Sequence, residues 1–119
     1  LLFFATFLLL SCVESKKTDI KNFKTGTFKT LLDANDATSI AFRNDTLQIE
    51  TYNSKKDTFA INWLNDFEYI LKKRNPKTEL DNTPFHVKIT GFKENSYSFT
   101  AYYKGSNFKQ TGTVIKISE

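Results

Sequence analysis

Residues 58–73 read TFAINWLNDFEYILKK. Phe59, Ile61 and Trp63 alternate with Ala60, Asn62 and Leu64. Asn65-Asp66 is a turn signal, and Phe67, Tyr69 and Leu71 then alternate with Glu68, Ile70 and Lys72. Successive side chains of a strand point to opposite faces. Two such runs joined by a short polar turn therefore predict a β-hairpin with one apolar face. The pattern extends in both directions. Upstream, Ile40 and Phe42 share a face; past the Asn44-Asp45 turn, Leu47, Ile49 and Thr51 oppose Gln48 and Glu50. Downstream, Phe85, Val87 and Ile89 alternate with His86, Lys88 and Thr90, and Tyr97, Phe99, Ala101 and Tyr103 make the next face.

A strand near residues 23–31 and a last one over residues 108–117 bring the expected count to eight. In the last strand Phe108 and the pair Ile115/Ile117 fall on opposite parities, which a bulge at Gly112 reconciles. Links this short force antiparallel neighbours. The expected fold is all-β, an eight-stranded antiparallel meander forming a small barrel or half-barrel of lipocalin-like topology. Residues 33–38 are the one place where a short helical turn is expected.

Composition agrees with one packed domain. The chain has 119 residues, and 12 Phe among 15% aromatics supply a core rather than a disordered tail. Lys+Arg number 17 and Asp+Glu 13, giving +4. The single Cys excludes a disulfide within the chain, and one His leaves little for a zinc site. With no Met present, the sequence is read as starting inside its gene product.

Residues 1–10, LLFFATFLLL, are apolar apart from Thr6 and carry no charge. The run is too short for a transmembrane helix and suits the apolar region of a secretory signal. It ends in Leu9-Leu10-Ser11-Cys12, which resembles the bacterial lipobox: an aliphatic residue, a small residue one position before the Cys, and then the Cys. The resemblance implies that Cys12 is acylated and that the chain is cut just before it. The expected division is a signal peptide over residues 1–11, a lipidated Cys with a polar tether over residues 12–22, and one β-domain over residues 23–119.

The remainder is similar to a family of small Bacteroidetes and flavobacterial lipoproteins. The residues that carry the likeness are Phe23-Lys24-Thr25-Gly26-Thr27-Phe28, Ile61-Asn62-Trp63 and Glu68-Tyr69-Ile70-Leu71. Such proteins sometimes bear a DNA topoisomerase IV label, which these residues do not support. The resemblance implies a location, the cell envelope and in particular the outer membrane, and no reaction.

No residue pattern points to catalysis. His86 lies opposite Phe85 and Val87 and reads as a sheet histidine. Asp33 and Asp36 flank Asn35 in one loop, and Glu79 and Asp81 share another; both read as solvated acids rather than calcium ligands. Lys72-Lys73-Arg74 with Lys77 is the densest basic run. It suits a soluble hairpin end better than a nucleic-acid surface in an exported chain. Phe59, Trp63, Phe67, Tyr69, Phe85, Tyr97, Phe99 and Tyr103 are expected to line and largely fill one interior. No cofactor, metal or catalytic residue is expected. The expected function is a non-enzymatic envelope domain that binds a small apolar ligand or an envelope partner. The alternatives are an inhibitor-type module that docks another envelope protein, and an enzyme with an unrecognised carboxylate site. Replacing Cys12 with Ala should abolish incorporation of a labelled fatty acid; label retained by the variant refutes acylation at this residue.

Overall fold

The computed structural model describes residues 19–119. Cys12, the expected signal peptide and most of the expected tether lie outside them. A 3-10 helix (η1, Ile20–Lys24) opens the described chain, with Asp19 as its cap: the Asp19 carboxylate accepts from the Lys21 N–H. It begins three residues before the expected start of the domain, and Ile20 already packs against the core.

Eight strands follow: β1 (Gly26–Leu32), β2 (Thr38–Arg43), β3 (Leu47–Tyr52), β4 (Lys55–Asn65), β5 (Glu68–Lys73), β6 (Phe85–Phe92), β7 (Ser96–Tyr103) and β8 (Gln110–Ser118). Each pairs antiparallel with the next, and β8 pairs with β1, closing the barrel in sequence order. The half-barrel alternative is thereby excluded. Closure pairs both edges that an open sheet would expose.

The hairpin read first in the sequence is present, with Trp63 opposite Tyr69 and Ile61 opposite Leu71. Four departures from the expectation have physical causes. Residues 23–25 belong to η1 and its cap, so β1 starts at Gly26, whose φ of +127° suits a residue without a Cβ. The only α-helical turn among the described residues is α1 (Glu79–Asn82), capped by Thr78; residues 33–35 form a non-helical turn and 36–37 an irregular link instead. Phe108 lies before β8 and is 72% exposed. Gly112 makes no bulge: β8 runs through it in register with β7, Val114 points inward, and Ile115 and Ile117 point out.

Gly112 serves close packing. A Cβ there would overlap the Leu31 carbonyl oxygen and stand 2.8 Å from the Phe99 ring. The larger correction concerns β2 and β3. Ala41 and Arg43 are buried and Gln48 points inward, whereas Ile40 and Phe42 are 39% and 46% exposed. The apolar parity of these two strands faces out and the polar parity faces in.

The barrel has two unlike ends. Phe23 on η1 is fully buried and closes one, packing edge-on against Tyr97 at 5.1 Å between ring centroids. Lys116 ties η1 down by donating to the Asn22 carbonyl at 2.7 Å. The loops at residues 33–37, 53–54, 74–84 and 104–109 surround the other end. Gly112→Ala should cost about 1–3 kcal/mol through overpacking and lower the melting temperature by roughly 4–8 °C per kcal/mol. Gly91→Ala, where the added carbon meets nothing within 4 Å, should change it little. Equal melts for the two variants refute the packing role.

Candidate functional site: a cavity floored by a buried arginine

The inward parity of β2 places Arg43 inside the barrel, where it is 2% exposed. An isolated buried guanidinium is costly, and this one is met on every side. Its Nε donates to Gln48 Oε1 at 2.8 Å, and one terminal nitrogen donates to the Phe23 carbonyl at 2.7 Å. The other terminal nitrogen donates to the hydroxyls of Tyr69 at 3.2 Å and Tyr97 at 3.0 Å, which also bond each other at 2.8 Å. The guanidinium carbon lies 4.4 Å from the Phe28 ring centroid and 4.8 Å from that of Tyr69, within cation–π range. Burial pulls the Arg43 pKa down, and the phenols of Tyr97 and Tyr69 outweigh it, so the guanidinium stays charged. The Tyr69 phenol is held well above its ordinary value, by burial first and Tyr97 next, and stays neutral.

Above this floor the barrel is not full. A cavity of about 460 Å³ extends from Arg43 to the loop-lined end. That volume lies within the roughly 300–1,000 Å³ of small-molecule sites. Phe59, Leu71, Phe85, Val87 and Phe99 make an apolar wall; Thr30, Ser39, Gln48, Glu50 and Asp57 make a polar one. Tyr52, Leu80, Thr83 and Tyr103 frame the mouth.

The polar wall is wired to the floor. Gln48 takes the Arg43 Nε–H on its carbonyl and donates its amide to Glu50 Oε1 at 3.0 Å. Glu50 is held above the usual carboxylate range because burial penalises its charge; the Gln48 hydrogen bond and Arg43 pull the other way, and Asp57 opposes ionisation further. Asp57 stands directly across from Glu50 in the β3–β4 register. Lys73 bridges Asp57 at 3.5 Å and Asp81 at 3.6 Å at the rim. Desolvation lowers the Lys73 pKa, and the two carboxylates more than restore it. Asp81 is held below the usual range, first by the Lys77 N–H and then by Lys73.

The residues singled out in the sequence fall in several places. Tyr69, Tyr97 and Phe99 are buried in the barrel, and Phe59, Phe85 and Tyr103 line the cavity. Trp63 packs against the core beside Tyr69, with its Nε1 buried and unpartnered. Phe67 does not line the interior: it precedes β5 and is 48% exposed beside Phe92. The rings therefore only partly fill the barrel. His86 is on the outer surface, stacked on Tyr102, with Nδ1 3.6 Å from Glu68. Asp33 and Asp36 are exposed; Glu79 and Asp81 belong to α1, where Asp81 takes part in capping. Among the described residues no group of three or more His, Cys, Asp or Glu could hold a metal ion. The basic run splits: Lys73 turns toward the rim, while Lys72, Arg74 and Lys77 stay exposed. Arg43, Gln48 and Glu50, the centre of the site, occupy the parity that alternation alone assigns to solvent.

No family model, no curated protein and no solved structure matches the chain. The fold and the site define it as a closed eight-stranded antiparallel β-barrel with an internal, half-polar cavity.

The raised Glu50 pKa has a definite sign. Ionised Glu50 costs stability at pH above its folded-state value, and the cost vanishes below the unfolded-state value, where both states are protonated. Glu50→Gln should therefore raise the melting temperature at pH 7–8 and leave it unchanged below about pH 4. An unchanged or lower melting temperature at neutral pH refutes the assignment.

Proposed function

We propose that this protein is a lipid-anchored, non-enzymatic domain of the cell envelope, tethered to the outer membrane through Cys12. Its barrel holds one small amphiphilic ligand. The observation that carries the reading is the cavity of about 460 Å³ above the Arg43 floor. A stabilising core tends to close such a volume, because voids forfeit dispersion contacts. The apolar wall of Phe59, Leu71, Phe85 and Phe99 suits the body of a ligand. The opposite wall of Ser39, Gln48 and Glu50 suits a polar group on it. The ligand is thus not purely apolar, as the aromatic content alone implies, but two-sided.

The test is uptake of a fluorescent apolar amine, N-phenyl-1-naphthylamine. Wild-type protein should bind it saturably at one site and melt at a higher temperature in its presence, as mass action requires. Ser39→Trp, which fills the cavity from β2, should weaken binding at least tenfold while the barrel stays folded by circular dichroism. Absence of saturable binding, or binding indifferent to Ser39→Trp, overturns the reading.

One observation favours chemistry instead: Glu50 and Asp57 are paired across β3 and β4 on the cavity wall, and only one is bridged by Lys73. Paired carboxylates in unlike surroundings are the elements of acid–base hydrolysis. Turnover of chromogenic glycosides that Glu50→Gln and Asp57→Asn each abolish would favour this second reading.

A further inference from the structure

The end of the barrel opposite the cavity mouth carries an apolar ring. Among the described residues, five of the nine large apolar side chains that remain exposed sit there: Phe42, Leu64, Phe67, Phe92 and Ile117, each 41–54% exposed. They come from near the ends of β2, β4, β6 and β8 and from the turn before β5, so they encircle η1. Phe92 packs on the buried Phe23 at 6.4 Å and on Phe67 at 6.3 Å, so the ring continues the plug outward to solvent. Apolar surface gathered at one pole of a small domain marks a contact.

The chain itself says what the contact is. Asp19, the cap of η1, enters the fold at this same end. Seven Cα steps separate it from Cys12, a reach of at most about 25 Å. An acyl group on Cys12 thus holds the closed end, and not the mouth, nearest the bilayer. The charges near this end nearly cancel: Lys21, Lys24, Lys93 and Lys116 against Asp19, Asp45, Asp66, Glu94 and Glu119. Two of the lysines are already paired, Lys24 with Asp66 and Lys116 with Glu119. The surface is built for insertion of side chains and not for attraction to anionic headgroups. The mouth differs, with eight basic residues (Lys55, Lys56, Lys72, Lys73, Arg74, Lys77, Lys104, Lys109) against five acids in its loops and rim (Asp33, Asp36, Asp57, Glu79, Asp81).

We propose that the closed end is a lipid-docking face: Phe67, Phe92, Leu64, Phe42 and Ile117 sit in the headgroup region of the bilayer that holds Cys12. This rests on the lipid anchor proposed above. A single acyl chain binds membranes marginally and a second signal is needed for stable attachment; the ring adds apolar contact to whatever chains Cys12 bears. The barrel then stands with its mouth away from the membrane. The ligand enters from the aqueous side, and the bilayer does not feed the cavity.

The test uses the full acylated chain, purified in detergent and reconstituted in phosphatidylcholine vesicles. An environment-sensitive nitrobenzoxadiazole probe is attached at Glu94→Cys on the closed end or at Asn107→Cys on the mouth. The Glu94 probe should shift to the blue and be quenched by headgroup-region spin-labelled lipid; the Asn107 probe should stay unquenched. Leu64→Ser with Ile117→Ser should reduce quenching at Glu94 at least threefold without changing the far-ultraviolet spectrum. Adding phosphatidylglycerol or raising salt should change neither signal. Quenching at Asn107, or none at Glu94, in a chain that floats with the vesicles and carries acyl mass on Cys12 overturns the orientation and leaves the anchor standing. A chain without that mass overturns both.

Discussion

A guanidinium buried in a β-barrel must find acceptors for its hydrogen atoms, and that demand organises this molecule. Arg43 gathers the Phe23 carbonyl of η1, Gln48 of β3, Tyr69 of β5 and Tyr97 of β7 around one charge. Elements far apart in the chain are thereby fixed to a common point. Removing any partner leaves a buried polar group unsatisfied, which costs more than the bond itself contributes. The surrounding rings of Phe28, Tyr69 and Trp63 add attraction to the cation without competing for its hydrogen atoms.

The same arginine sets the parity of two strands. With Arg43 inside, period two puts Ala41 and Ser39 inside and sends Ile40 and Phe42 out. The β2–β3 register then brings Gln48 opposite Arg43 and Glu50 opposite Ala41, both pointing inward. One side of the interior becomes polar and the other, built by β4 to β7, stays apolar. Small inward residues on β1 and β2, namely Thr30 and Ser39, leave the volume toward the mouth unfilled. The two-sided cavity and the apolar outer surface are thus two consequences of one choice of face.

The asymmetry of the ends has a related origin. Where η1 crosses the barrel, Phe23 fills the lumen and hands its carbonyl to Arg43, so plug and floor are one construction. At the other end the long loop carrying α1 packs beside the opening, and Lys73 joins Asp57 to Asp81 across the rim. The closed end is plugged and ringed with apolar side chains, the open end polar and basic.

Alternation, short polar turns and aromatic content determined the all-β class, the antiparallel order and the inward faces of β4, β6 and β7. Local periodicity suffices where one parity is plainly apolar. It failed for β2 and β3, because Ile40, Phe42, Leu47 and Ile49 make the outer parity the more apolar one, and only the partners waiting inside the closed barrel make burial of Arg43 affordable. It failed at Gly112, where the apparent change of phase is simply Ile115 and Ile117 facing out. Closure, the choice of face for two strands, and hence the cavity, were decided by tertiary structure. Closure is the pairing of β1 with β8, from Leu32 with Gly112 to Thr27 with Ser118, and the choice of face rests on hydrogen bonds between residues 20 to 54 positions apart, from Phe23 to Arg43 and from Arg43 to Tyr97; no window of local sequence contains either.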